Sequence, residues 1–184
     1  MNLPNRLTML RICMIPVFVI FARMGARWAQ FAAVGIYALA CITDTLDGYL
    51  ARSRNLITDF GKLMDPIADK LLVMSAMLVL VYQRRMPDWV CILTLGREFL
   101  VSGFRLVAVE SGRVIAAGML GKVKTVFQMI STIALMLLVP VDGAPLLGAG
   151  GVAAARAMMY IALVLTVLSG GEYIIRNRDV IRSM

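Results

Sequence analysis

Six stretches of mostly apolar residues, parted by short charged segments, leave this 184-residue chain few ways to fold. They run over about 7–23, 28–51, 61–83, 88–109, 122–141 and 153–175. A helix rises 1.5 Å per residue, so stretches of about twenty residues match the roughly 30 Å hydrocarbon layer of a bilayer. Inside that layer each segment must satisfy its own backbone amides and carbonyls, which a helix does and an open strand does not. With 60% hydrophobic residues and a mean hydropathy of +0.83, the expected fold is all-α: one polytopic membrane domain over residues 1–184 with six transmembrane helices. Trp28, and Asp88 with Trp89 after Pro87, suit interfacial helix starts. The stretch 140–151, rich in Gly and Pro, reads as a loop. The short apolar run 12–22 could pass for a signal-peptide core, but no small-x-small site follows it, so an uncleaved first helix is expected.

Loop charge sets the expected orientation. With six spans and the N-terminus inside, twelve Lys and Arg fall on the inner side: Arg6, Arg11, Arg52, Arg54, Lys62, Arg105, Arg113, Lys122, Lys124, Arg176, Arg178 and Arg182. Five fall outside: Arg23, Arg27, Arg84, Arg85 and Arg156. By the positive-inside rule both termini are cytoplasmic, in the cytoplasmic (inner) membrane. The formal charge of +8 does not suggest nucleic acid, because the basic residues lie between apolar segments rather than in a patch with aromatics; anionic lipids or a phosphorylated substrate fit better.

Against this apolar background, five of the eleven acidic residues lie between positions 44 and 69. Carboxylates are costly near hydrocarbon, and an intramembrane cluster of them marks a functional site. Four follow a fixed pattern: Asp44-x-x-Asp47-Gly48-x-x-Ala51-Arg52, eight residues, then Gly61-x-x-x-Asp65-x-x-x-Asp69. Residues 44–52 form the polar end of the second span and 61–70 the polar start of the third, so the two meet on one side of the membrane. The expectation is a helical hairpin that presents its acids to a hydrated cavity facing the cytoplasm.

Asp44 and Asp47 are three apart, and Asp65 and Asp69 four apart, so each pair shares a helical face. Facing carboxylates repel, and a hard divalent cation relieves that repulsion. The chain has no histidine, which removes His-based triads, His-ligated zinc and an imidazole base. Cys13, Cys41 and Cys91 stand singly in apolar runs, without metal-ligand spacing, and read as small buried residues. Oxygen-only donors point to magnesium or manganese, and four carboxylates could hold two ions, the arrangement suited to phosphoryl transfer. Gly48 leaves space for a ligand, and Arg52, one turn on, is placed to meet a phosphate. The plain alternative is a salt-bridged hairpin in which Arg52, Arg54, Lys62 and Lys70 neutralise the aspartates.

These residues match without a gap the signature of the CDP-alcohol phosphotransferase family, and the chain resembles its members on that ground. The resemblance implies a six-helix membrane enzyme, commonly a homodimer, that moves a phosphatidyl-type group from a CDP-linked donor to an alcohol and releases CMP. By position, it implies that Asp44, Asp47, Asp65 and Asp69 hold two metal ions and that Asp69 also serves as general base. It implies a CDP site at Asp47, Gly48, Ala51, Arg52 and Gly61.

The signature says nothing of the acceptor alcohol. Flanking segments do: Asn2-Leu3-Pro4-Asn5 with Leu7, Thr8 and Arg11; Asp65-Pro66-x-Ala68-Asp69-Lys70; Gly96-Arg97-Glu98 with Ser102 and Arg105; and Gly121-Lys122-x-Lys124-Thr125 with Gln128. To about residue 130 they resemble the family members whose acceptor is sn-glycerol 3-phosphate. That acceptor is a small dianion, and Arg97, Arg105, Lys122, Lys124 and Arg11 are the candidates for its phosphate. Each has a plainer reading as well. Arg97 could form an internal ion pair with Glu98, Lys122 and Lys124 could mark the membrane interface, and Arg11 could snorkel to headgroups. The expected reaction converts CDP-diacylglycerol and sn-glycerol 3-phosphate into phosphatidylglycerol phosphate and CMP. The alternatives are a phosphatidylinositol-phosphate or cardiolipin-type synthase of the same family or, from another class, a divalent-cation transporter. Arg52 speaks against the transporter, since a permeation path gains little from a fixed arginine beside its cation site.

Overall fold

Turn chemistry cuts the apolar sequence where one helix must give way to the next. Met24, Gly25 and Ala26 separate the first two helices, and Gly25 takes φ 69°, a left-handed turn that suits a residue with no Cβ. A computed structural model describes residues 3–53, 59–110, 118–139 and 145–178; within these, the side chains at 3–4, 45–53, 59–60, 62–63 and 109–110 lie outside the description. The described residues form six α-helices: α1 (Leu3–Arg23), α2 (Arg27–Ser53), α3 (Asp59–Tyr82), α4 (Asp88–Glu110), α5 (Met119–Leu138) and α6 (Gly148–Arg176). They correspond one for one to the six apolar stretches.

The main departure in boundaries is at α6, which starts inside the stretch expected to be a loop. Glycine lowers helix propensity, yet Gly148, Gly150 and Gly151 occupy its first turn. A Cβ on Gly151 would stand 2.6 Å from Leu147 Cβ, so the missing side chain is what lets that turn form against Leu147.

α1 packs most extensively on α2 and also on α3, and α5 packs on α6, while α4 leans on α6. Among the described residues α2 and α3 touch each other little. α1, among the described residues, contacts both acidic helices and bridges them. The buried core draws on Phe18, Tyr37, Leu72, Met77, Leu80 and Leu135, with the Phe18 and Tyr37 rings 5.7 Å apart. Ala33, Ala40, Ala68, Ala76 and Ala155 are buried at helix contacts. Small residues of this kind let helix backbones approach closely, which is how helices gain contact energy in lipid.

Much of the exterior is apolar. Leu10, Ile20, Leu39, Leu78, Ile92, Leu100, Val126 and Val164 are all exposed, on every one of the six helices. A contiguous apolar surface of this extent belongs against lipid. Three helices, over Asn5–Arg23, Met119–Leu138 and Gly148–Arg176, are long and apolar enough to cross a membrane. The other three carry the acidic pattern and the Arg97 to Arg105 segment, whose charge lowers their hydropathy. Of the cysteines, Cys41 and Cys91 are buried as expected, but Cys13 is exposed on the apolar outside of α1.

Candidate active site

The first half of α1 organises the acidic end of the bundle. Thr8 and Arg11 are three residues apart and so project from one face. Both are fully buried. The Thr8 hydroxyl donates to Asp65 Oδ1 at 2.6 Å, and Arg11 Nη1 pairs with Asp44 Oδ1 at 2.7 Å. The 2.6 Å separation lies in the range of a charge-assisted O–H···O⁻ bond. α1 thus ties the carboxylate of α2 to the carboxylate of α3 within one helical turn. Arg11 does not snorkel to headgroups: it sits inside the bundle as the cation beside Asp44.

Asp69 lies one turn beyond Asp65 on α3 and lines a narrow cleft with Lys70, Glu98, Lys124, Thr125 and Gln128. Phe99, Leu95, Val73, Met74 and Met129 form its apolar side. The cleft therefore has a charged floor and a greasy wall, the combination needed to hold a lipid beside a water-soluble group.

Lys124 in the cleft and Arg97 behind it are already engaged. Lys124 is buried and ion-paired with Glu98 Oε1. Arg97 Nη1 lies 3.3 Å from the same carboxylate oxygen, and its Nη2 donates to Ser169 Oγ at 3.0 Å. The internal ion pair between Arg97 and Glu98 is thus present, and it forms part of a network joining α4, α5 and α6. Arg97 reaches α6 because Gly170 offers no side chain: a Cβ there would meet Arg97 Cγ at 3.0 Å.

The remaining candidates separate. Lys122 is exposed whereas Lys124 is buried, as residues two apart on a helix must point in different directions. Arg105 does not line the cleft; its guanidinium lies over the Tyr173 ring of α6, 5.7 Å from the centroid. Gly61 is buried on α3. The side chains of Asp47, Gly48, Ala51 and Arg52 lie outside the described residues, although the backbone there continues α2. Among the described residues no three His, Cys, Asp or Glu side chains gather closely enough to hold a metal ion. Asp44, Asp65 and Asp69 offer carboxylate oxygens only, with a hydroxyl on Asp65 and a guanidinium on Asp44, and oxygen donors are the kind that hard divalent cations take.

With this geometry in place, the comparison with known proteins is decisive. The family model described as CDP-alcohol phosphatidyltransferase matches residues 1–168. The chain belongs to that family. Three curated relatives are similar over 83–98% of their own length. The chain is 38% identical to the CDP-diacylglycerol--glycerol-3-phosphate 3-phosphatidyltransferase of Bacillus subtilis (strain 168), with 99% of this chain and 98% of the relative covered. It is 42% identical to the "Probable phosphatidylglycerophosphate synthase" of Mycobacterium tuberculosis (strain ATCC 25618 / H37Rv), over 97% of this chain and 83% of the relative. The CDP-diacylglycerol--glycerol-3-phosphate 3-phosphatidyltransferase of Shigella flexneri serotype 5b (strain 8401) is 36% identical, over 94% and 93%. A membrane-embedded transferase is the class to which these findings assign the chain.

Sequence reasoning missed the bonds made by Thr8 and Ser169 and the pairing of Glu98 with Lys124. A signal existed for Thr8, since its spacing from Arg11 puts both on one face of α1. Ser169 gave none, because its partner lies 72 positions away.

Proposed function

We propose that the protein transfers the phosphatidyl group of CDP-diacylglycerol to sn-glycerol 3-phosphate, giving phosphatidylglycerol phosphate and CMP. The observation that carries this reading is the cleft that Asp69 and Lys124 line together with apolar side chains. The names of relatives 36–42% identical along almost the whole chain support the choice of substrates.

Asp69 accepts the proton of the acceptor's primary hydroxyl as that oxygen attacks the lipid-side phosphorus and the bond to the CMP oxygen breaks. Lys124, drawn partly from Glu98, offers its ammonium to the acceptor phosphate, and Arg97 adds positive charge from the same side. Thr8 and Arg11 fix the rotamers of Asp65 and Asp44, so the carboxylates need not reorganise when the donor arrives. Arg52 and the small residues Gly48, Ala51 and Gly61 take the CDP moiety. Asp44, Asp47, Asp65 and Asp69 would hold two divalent ions, magnesium or manganese, whose chemistry there is to offset charge on the donor pyrophosphate and the departing CMP. Six spans with both termini in the cytoplasm place this end of the bundle at the inner face of the cytoplasmic membrane, where both soluble species are found. A homodimer completes the assembly that the family resemblance implies.

The test is CMP release by purified protein in mixed micelles of CDP-diacylglycerol, with a panel of acceptors. Turnover with sn-glycerol 3-phosphate is expected; turnover with inositol phosphate or phosphatidylglycerol in its place would reassign the acceptor.

A further inference from the structure

The opposite end of the bundle holds a second concentration of positive charge that the reaction does not use. Asp69 and Tyr82 are thirteen residues apart on α3, a rise of about 20 Å, and Arg84 follows in the turn beyond. There Arg84 and Arg85 of the α3–α4 turn and Arg156 of α6 line a cavity of about 480 Å³, with Asp88 as the carboxylate facing it and Met86 and Tyr160 on its walls.

Arg85 is 3% exposed. Its Nη1 donates to the carbonyl of Met136 at 2.9 Å, near the C-terminus of α5, where carbonyls lack helical partners. Gln30 Nε2 donates to the same carbonyl. That capping contact accounts for one nitrogen. Nε and Nη2 are buried without a hydrogen-bond partner. Burial alone pushes the guanidinium down to about 10, as expected of a cation held from water without a counter-anion.

Arg84 is unusual in its backbone. It takes φ 55°, in the left-handed region, while its N–H closes on Val81 O at 2.9 Å and that of Arg85 on Leu80 O at 2.9 Å. This is the end of α3 where glycine is the favoured residue. An arginine there accepts a steric cost that glycine would not, and such an outlier points to a use for the side chain. Exposed Trp89 and Tyr160 stack at the rim, 6.2 Å between centroids, as amphipathic rings do at the level of lipid headgroups.

We propose that this end of the bundle carries an anion site in which Arg84, Arg85 and Arg156 hold a phosphate group, supplied by the phosphodiester headgroup of an acidic phospholipid in the leaflet opposite the active site. Guanidinium forks match phosphate oxygens in pairs, and three of them against one carboxylate leave the cavity net positive. The two unpartnered nitrogens of Arg85 then acquire acceptors. The lipid is preferred to free phosphate because the cavity opens beside Trp89 and Tyr160, so its occupant would sit at the bilayer interface. The proposal rests on the membrane-spanning reading of the bundle and not on the reaction above.

Thermal unfolding of the full chain in detergent tests it, with added dioleoylphosphatidylglycerol, dioleoylphosphatidylcholine or inorganic phosphate. The wild type should be stabilised by phosphatidylglycerol and not by phosphatidylcholine. Because the same lipid could also enter the catalytic cleft, the decisive arm is the pair Arg84→Gly with Arg156→Gln. Glycine suits φ 55° and residue 156 is exposed, so this variant should fold. In it the phosphatidylglycerol concentration for half-maximal stabilisation should rise about tenfold or more, the loss of roughly one charged contact. An unchanged response in the variant, or none in the wild type, overturns the proposal. Equal stabilisation by inorganic phosphate that the variant abolishes retains the anion site and overturns the lipid as its source. CMP release is not the readout, so this test and that of the reaction can fail separately.

Discussion

Thr8 shows how little of a site's positioning is written at the positions that do its chemistry. Its hydroxyl is the hydrogen-bond donor to Asp65 Oδ1, and removing it leaves a carboxylate free to rotate away from Asp44 and Asp69. Thr8→Val should keep the side-chain volume, destabilise the fold by about 1.5–3 kcal/mol, the usual worth of a hydrogen bond to a charged group, and raise the magnesium concentration for half-maximal CMP release by about 10–100-fold. A titration of activity against magnesium, alongside thermal unfolding, checks both. The aspartate spacing was legible in the sequence because helical periodicity converts separations of three and four into a shared face. The partners of those aspartates were not, because Arg11 meets Asp44 and Thr8 meets Asp65 only after α1 has packed across both helices. Lys122 and Lys124 make the same point: adjacent in the sequence argument, they part once the helix turns one outward and the other in.

At the level of elements, the six helices could be read from apolar runs and turn residues, since backbone hydrogen bonding in lipid allows little else. Their packing order could not. α1 contacts both acidic helices, and nothing in local pattern records which face of α1 is complementary to two carboxylates. The start of α6 was misplaced for a related reason: glycine-rich sequence favours a loop until tertiary packing, here the close approach of Gly151 to Leu147, overrides propensity. Gly170 is the position where an element contact and the site depend on each other. Gly170→Ala should push Arg97 off Ser169 and disturb its contact with Glu98 at the cleft, since the new Cβ would meet Arg97 Cγ at 3.0 Å. The expected outcome is an increase of about fivefold to tenfold in KM for sn-glycerol 3-phosphate, equal to about 1–1.4 kcal/mol, with the KM for CDP-diacylglycerol changed less. Steady-state kinetics with each substrate varied in turn measures it, and an equal rise for both would assign the network of Arg97, Glu98 and Lys124 to helix packing alone.

For the whole molecule, six spans would set the acidic end and the Arg84 end of the bundle against opposite aqueous phases. In a chain with its native cysteines replaced by alanine, Lys122→Cys should be protected from a membrane-impermeant maleimide in intact cells and labelled in inverted vesicles, while Arg27→Cys should show the reverse. Labelling of both from one side would break the six-span arrangement. The reaction makes the same demand on the molecule, because the lipid donor must meet a water-soluble acceptor at a single carboxylate-lined cleft. The most direct measurement follows radiolabelled sn-glycerol 3-phosphate into the organic phase when purified protein is given CDP-diacylglycerol and magnesium, with CMP measured in parallel. One CMP is expected for each lipid-linked label, and a rate lowered about 10²–10⁴-fold by Asp69→Asn, the usual worth of a positioned general base. Label that stays in the aqueous phase, or an Asp69→Asn variant that works at the wild-type rate, would contradict the proposed reaction.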